Sequence, residues 1–453
     1  MAILKPLSWV QNYSRNKLKG DFFAGLTVGV LLIPQSMAYA LIAGLPVIYG
    51  LYASIVPQVI FAFFGSSNRL SVGPTAMDSL LIGSSLVLLA SIGSKEYIEL
   101  AIILSMLVGI IQALLGFMKM GFMTQLLSKP IISGFTSAAA ILIGLNQLGP
   151  LLGIQMDKGN LTVLSKSVFH NIIQTDLLTA LIGLVSIVSL FAFKKWIPKM
   201  PGNLIIVLSS ILLVDYFELH ISNLKIVGEI SKGLPSFNIP NLNLEKISSL
   251  LPLASTLAVI SFIESFSVSK KIGTQSKDYT LNANTELVAL GSANFMGSFF
   301  MSFPVTGGFG RSAVNHTAGA QTPFSGFISA SLIAATLLFF TDIFELLPYT
   351  VLAAIILVAL KGLIDFKYPY KLWKANSIDF FMLVLTFLIT LFFGMISGIF
   401  SGMLLYVLLL THKLFFPQVH HLIFAKTEEI LPTTTNNNFS SLHQNLYIFK
   451  IDI

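Results

Sequence analysis

The stretch 302–327, "SFPVTGGFGRSAVNHTAGAQTPFSGF", carries one arginine, Arg311, beside three neighbouring glycines and between two runs apolar enough to cross a bilayer. An ionised side chain at the bilayer centre costs about 2.5 to 3.5 kcal/mol on insertion scales, so it turns towards a partner or a wet cavity. A carboxyl is the obvious partner, and "LAVISFIESFSVSKK" places Glu264 in an otherwise neutral helix. Glu264 reads either as a group that takes up and releases a proton or as one half of an ion pair with Arg311. In "VGVLLIPQSMAYALIAGLP", Gln35 follows Pro34 directly and Tyr39 lies four residues on, on the same helical face. Proline frees a backbone carbonyl, so Gln35 either satisfies that broken turn or lines whatever lies opposite. Asp78, in "SVGPTAMDSLLIGSS", falls in the first turn of its segment, where a carboxylate favours the helix dipole. Capping alone would explain it.

The elements that must position these residues are membrane spans. The chain has 453 residues, 55% of them hydrophobic and 10% charged, against about 25% charged in soluble domains. The net charge of +7 is scattered in short clusters between apolar runs, which is a topology signal and not a nucleic-acid surface. The absence of cysteine excludes disulfides, thiolate chemistry and cysteine-ligated metals. The opening "MAILKPLSWVQNYSRNKLKGD" lacks the apolar core and small-residue cleavage site of a signal peptide, and reads as an amphipathic lead-in.

Against the ~17 to 25 residues needed to span, about fourteen candidate segments emerge. Their centres lie near Val30, Pro57, Ile82, Gly109, Ile141, Val185, Ser209, Val259, Phe295, Ala313, Ala330, Ile355, Leu385 and Leu405. Basic clusters at Arg15/Lys17/Lys19, Lys119/Lys129, Lys194/Lys195/Lys199, Lys270/Lys271/Lys277 and Lys367/Lys371/Lys374 fall on one side if the N-terminus is cytoplasmic. That predicts both termini inside. The third and tenth segments, around Asp78 and Arg311, open on Gly, Pro or Thr and read as half-helices. They hold equivalent places in two sets of seven, which predicts an inverted repeat. A helix starting at mid-membrane leaves its first N–H groups open and carries about half a positive charge there, so two such ends make an anion site. Merely kinked helices are the alternative. In this repeat Glu264 occupies the place equivalent to Gln35. The resulting fold class is an all-α polytopic membrane protein. Its expected divisions are a lead-in over 1–20, a first repeat over 21–220, an extracytoplasmic loop over 221–249, a second repeat over 250–415 and a cytoplasmic remainder over 416–453.

Several stretches carry a family resemblance. "PQSMAYALIAGLPVIYGLY" after "GDFFAGLTVGVLLI", then "FFGSSNRLSVGPTA", "IESFSVSKKIG", "NANTELVALGSANFMGSFFMSFPVTGGFGRSAVNHTAGAQT" and "LPYTVLAAIILVALKGLID" occur in order. Together they resemble the SulP family of anion transporters and exchangers over essentially all of residues 5 to 415. The resemblance implies fourteen spans as seven plus seven, with core and gate domains and short strands before half-helices three and ten. It also implies a homodimer and an elevator-like displacement of the core. It places substrate-binding residues at Gln35 and Tyr39, at Thr75 and Ala76, and at Phe309, Gly310 and Arg311, with the coupling carboxyl at Glu264. Two features depart from the family pattern. After the last span the family carries a cytoplasmic STAS domain, of which "NLYIFKIDI" resembles only the first strand. The polar "LPTTTNNNFSSLHQ" before it predicts that the last twenty or so positions are poorly ordered. The second departure is Asp78, where the family more often has an apolar residue; an acid there weakens anion binding unless protonated, or favours a cation-coupled cycle.

Among substrates, "FPVTGGFGRSAVNHTAGA" and a glutamate at 264 resemble the sulfate/proton symporters more than the bicarbonate/sodium members. The leading expectation is proton-coupled sulfate uptake across a bacterial-type inner membrane, without a cofactor. Sodium coupling, bicarbonate or a dicarboxylate such as fumarate, and a chloride exchanger or channel-like homologue remain open. A membrane enzyme is not expected: there is no H-E-x-x-H signature, and "GIFSGM" lacks the G-x-S-x-G spacing.

Overall fold

The computed structural model describes residues 9–10, 13–125, 128–157, 159–197, 200–219, 224–276, 281–361, 364–415, 418–424, 430–432 and 448–452. The chain begins with α1 (Arg15–Ile42), whose N-cap Ser14 accepts from the Lys17 N–H and which carries Pro34 inside. Two short helices, α2 (Val47–Tyr52) and α3 (Val56–Phe64), lead to a two-residue strand β1 (Val72–Gly73) and the short α4 (Ala76–Leu86). Longer helices follow: α5 (Lys95–Phe117), capped by Ser94, and α6 (Lys129–Leu152), ended by Gly153 in the left-handed region (φ 74°). Then come α7 (Leu161–Asn171), α8 (Leu177–Trp196) and α9 (Gly202–Tyr216).

The second half opens with α10 (Leu244–Ser276) and α11 (Ala283–Ser298). A second two-residue strand, β2 (Thr306–Gly307), runs into α12 (Phe309–Thr317). The remaining helices are α13 (Phe324–Phe339), α14 (Tyr349–Leu360), α15 (Lys367–Ala375), α16 (Ser377–Phe393) and α17 (Met395–Phe415). Every centre expected from the sequence falls on one of these helices. Among the described residues six helical stretches are long and apolar enough to cross a membrane. Shorter apolar helices include α4, α9, α13, α14 and α16.

Some boundaries move. The α1 helix starts at Arg15, inside the stretch read as a lead-in, because Ser14 supplies a cap ahead of the basic residues. The α10 helix starts at Leu244, inside the expected loop, where the Asn243 side chain accepts from the Glu245 N–H at 3.3 Å. Helices α7 and α15 were not expected, because at 11 and 9 residues they are too short to span and leave no span-length apolar run. Trp373 of α15 sits edge-on to Phe380 of α16 with ring centroids 4.8 Å apart, and Lys129 lies 4.5 Å over the Tyr368 ring. At the C-terminal end the expectation of a single strand is corrected. A three-stranded antiparallel sheet forms from β3 (Gln418–Phe424), β4 (Ile430–Pro432) and β5 (Ile448–Asp452), with β3 in the middle. The register pairs Val419 with Ile451 and Leu422 with Ile448, so backbone pairing orders part of the tail expected to be loose. The residues between β4 and β5 lie outside the described set.

Helix α1 packs against α13, and α10 against α5; α6 packs against α16, and α14 against α8. The crossing of α5 and α11 is a backbone contact: a Cβ on Gly109 would lie 2.4 Å from the Phe295 nitrogen, and one on Gly291 2.5 Å from that of Ala113. Close approach of this kind is how helices associate in lipid, where burying apolar surface gains little. The stretch 133–144 behaves similarly, since a Cβ on Gly134 would lie 2.4 Å from the Leu383 carbonyl oxygen of α16.

Candidate functional site

Strands β1 and β2 pair with each other, far apart in sequence and antiparallel, with Val72 opposite Gly307 and Gly73 opposite Thr306. Each strand leads at once into a short helix. Antiparallel pairing therefore sets the starts of α4 and α12 at opposite ends of one small ladder, both N-termini towards it. A lace of hydrogen bonds fixes this crossing. The Gly308 N–H donates to the Ser71 carbonyl at 3.0 Å, and the Ser71 N–H donates to Ser312 Oγ at 3.0 Å. On the α10 side the Gly307 N–H donates to Ser265 Oγ at 2.6 Å, and Thr306 Oγ1 to the Ser261 carbonyl at 2.6 Å.

A second set of polar residues, which the sequence reading missed, holds the approach to β2. Asn294 of α11 accepts from the Val305 N–H at 2.8 Å and donates to the Val305 carbonyl at 3.1 Å. It also donates to Gln112 of α5 at 3.0 Å, and Gln112 in turn donates to Ser261 at 2.8 Å. Both amides are buried inside apolar helices, which is the signal that could have found them.

Arg311 is 4% exposed and folds back across the ladder. A Cβ on Gly308 would lie 2.7 Å from Arg311 Cζ, so glycine there makes room for the guanidinium. Nη1 donates to the Pro74 carbonyl at 2.7 Å, which ties the start of α12 to the loop before α4. Nε and Nη2 are buried without a partner. Among the described residues no ion pair joins Arg311 to Glu264, so that alternative is not realised. Glu264 Oε2 is likewise buried and unpartnered, as is Gln35 Oε1 on α1. Tyr39, one turn further along α1, is buried. Arg311 acts electrostatically on both Tyr39 and Glu264, and Glu264 on Asp78, so the fold brings these four residues to one place.

The two helix starts differ. Thr75 caps α4, its Oγ1 accepting from the Asp78 N–H at a long 3.4 Å, with Ala76 half-buried beside it. Asp78 makes no capping hydrogen bond, both carboxylate oxygens being buried without a partner, while its place in the first turn lies along the helix dipole as the sequence implies. At α12 Gly308 offers no side-chain cap, so the first N–H groups stay open. Gly310 is exposed, and a Cβ there would meet nothing within 4 Å. Phe309 is 41% exposed, with Lys271 Nζ 4.6 Å from its ring centroid. A cavity of about 740 Å³ lies away from this cluster. It runs between α1 and α4 on one side and α6, α14 and α17 on the other, past Leu80, Asn146, Tyr349 and Met395.

A family model described as "Sulfate permease family" matches residues 18–386, most of the chain and all of this cluster. The chain belongs to the sulfate permease family. It is thus an integral, multi-pass membrane protein of a family of anion transporters, which are not enzymes. Among similar proteins is "Sulfate transporter 4.1, chloroplastic" of Arabidopsis thaliana, 36% identical over 403 residues, covering 87% of this chain and 58% of that protein. Another is the "Sodium-independent sulfate anion transporter" of Bos taurus, 33% identical over 447 residues, covering 91% of this chain and 73% of that protein. The chain spans about 60% of the length of "Sulfate transporter 4.1, chloroplastic" and of "Probable sulfate transporter 4.2" of Arabidopsis thaliana, the latter 35% identical. Among solved structures, the murine Slc26a9 anion transporter in the inward-facing state is 25% identical with a TM-score of 0.87, over 95% of this chain and 74% of that one. The transmembrane domain of the cyanobacterial bicarbonate transporter BicA has a TM-score of 0.73 over 87% of this chain and 98% of that one. At 22% identity it shows a shared fold.

Proposed function

We propose that the protein is a secondary active transporter that carries sulfate inward with protons. The observation that carries this reading is the pairing of two short helices, N-terminus to ladder, beside polar atoms that have no partner of their own. The N–H groups at Thr75/Ala76 and Phe309/Gly310 hold the anion, with Gln35 and Tyr39 completing its surroundings. Each helix start contributes about half a positive charge. Arg311 is a fixed positive background: one nitrogen is spent on Pro74, and the rest of the guanidinium lowers the cost of bringing a divalent anion into low dielectric. Glu264 is the coupling carboxyl. Sulfate in the names of the similar proteins supports the choice of anion.

The packing supports a seven-plus-seven inverted repeat across fourteen spans. The contact of α1 with α13 recurs as that of α10 with α5, and the contact of α6 with α16 recurs as that of α14 with α8. The same pattern groups α1, α4, α10 and α12 in a core that slides against a gate containing α6, α14 and α17. The 740 Å³ cavity lies along that boundary. We read two copies in a bacterial-type inner membrane, both termini cytoplasmic, as the working unit. The test is reconstitution of the purified protein and uptake of labelled sulfate, bicarbonate and fumarate under imposed proton or sodium gradients. Sulfate accumulation that follows an inward proton gradient is expected. Accumulation of bicarbonate driven by sodium would overturn the reading.

A further inference from the structure

Asp78 is an acid that a site for anions should not tolerate. It is 0% exposed, it stands in the first turn of α4, and neither carboxylate oxygen has a partner. Glu264 of α10 faces it, with Oε2 also unpartnered, and Glu264 is in turn faced by Arg311 of α12, with Nε and Nη2 unpartnered, and by Tyr39 of α1. The other helices packed on α4 add no charge at this depth. In α6 the only ionisable group is Lys129, exposed in the first turn. In α5 they are Lys95, Glu96, Tyr97 and Glu99, all near its start; Tyr97 donates to the Ala43 carbonyl and Glu99 accepts from Lys246. The cluster is therefore two acids and one guanidinium. Its formal charge is about −1 with both acids ionised, 0 with one proton and +1 with two.

Only the doubly protonated cluster is both positive and able to donate hydrogen bonds from each acid to an anion oxygen. An ionised Asp78 at the mouth of α4 would instead repel sulfate from the N–H groups it must reach. We infer that Asp78 and Glu264 are a pair of proton carriers, each taking up one proton as sulfate enters, so that one sulfate moves with two protons and no net charge. This rests on the proton-coupled reading above. Linkage makes the effect mutual: the anion favours protonation of the pair, and protonation of the pair favours the anion. A single-carboxyl cycle would leave one negative charge to be moved against an inside-negative potential.

The test is sulfate uptake into proteoliposomes under an imposed proton gradient, with the membrane potential clamped at several values. Wild-type uptake is expected to follow the proton gradient and ignore the potential. Asp78→Asn is expected to keep proton-driven uptake but become sensitive to potential, slowed at least severalfold by an inside-negative clamp. Asp78→Glu should restore indifference. Because Asp78→Asn can fail to fold, a second measurement uses the wild type in detergent: protons taken up per sulfate bound, followed with a pH indicator across a pH series. A maximum above one proton per sulfate is expected. Potential-sensitive wild-type uptake, an Asp78→Asn variant as indifferent as wild type, or proton uptake that never exceeds one per sulfate would overturn the inference alone. No response of wild-type sulfate uptake to a proton gradient would overturn the coupling reading, and this inference with it.

Discussion

Arg311 is held by one hydrogen bond and by the absence of a side chain at position 308. Two substitutions separate its charge from its placement. Arg311→Gln removes the charge and should weaken sulfate binding at least tenfold, about 1.4 kcal/mol. Gly308→Ala keeps the charge but drives a methyl group into the guanidinium, and should weaken binding in the same direction although Ala is not charged. Isothermal titration with sulfate checks both; unchanged affinity in Arg311→Gln would leave Arg311 a structural tie only. At this scale the sequence was partly legible. A lone arginine, a lone glutamate and a Pro-Gln step stand out because charge and amide are expensive in lipid. The serines and threonine that lace β1 to β2 did not stand out, because a hydroxyl in a membrane helix commonly bonds back along its own helix, as Ser186 of α8 does to the Ile182 carbonyl at 2.8 Å. Nothing in one sequence distinguishes Ser265, which reaches another element.

Elements are joined here by backbone contact and by a few acids at helix starts. Gly291→Leu would force α11 away from α5 along a crossing where no side chain can yield, and should cost about 1–3 kcal/mol or more. A fall in the thermal unfolding midpoint in detergent checks it. Glu286, in the first turn of α11, accepts from the Ser66 N–H at 2.8 Å, the Ser66 hydroxyl at 2.6 Å and the Ser67 N–H at 2.7 Å. It pins the turn after α3 to α11, as Asp21 of α1 pins the loop after α12 through the Gln321 and Thr322 N–H groups. Glu286→Ala strands three donors and should cost about 1.5–3 kcal/mol, seen in the same melting experiment. These acids escaped the sequence reading because they lie at segment ends, where a charge is unremarkable. The centres of the spans were legible, since an apolar run of span length is hard to mistake. Their ends were not, since Ser14 and Asn243 decide them through caps that composition does not show.

For the whole molecule, the two short helices matter because they belong to different halves of the chain and are brought together at the ladder. Proton coupling follows if Glu264 trades a proton with the cytoplasm or the outside as the core moves. Glu264→Gln, fixed in the neutral form, should retain sulfate/sulfate exchange and lose the larger part of its acceleration by an inward proton gradient, keeping only the share that Asp78 carries. Gradient-driven accumulation undiminished in this variant would remove Glu264 from the coupling role. Wild-type sulfate affinity should fall as pH rises, because an ionised cluster is negative; affinity that is flat with pH would speak against any coupling carboxyl at the site. The most direct measurement is to locate the anion itself. A crystal or cryo-electron structure with selenate, compared with one without, should show one added density between the Thr75/Ala76 and Phe309/Gly310 N–H groups, within reach of Gln35 and Tyr39. Selenate bound elsewhere, with the space between the two helix starts unchanged, would contradict the account.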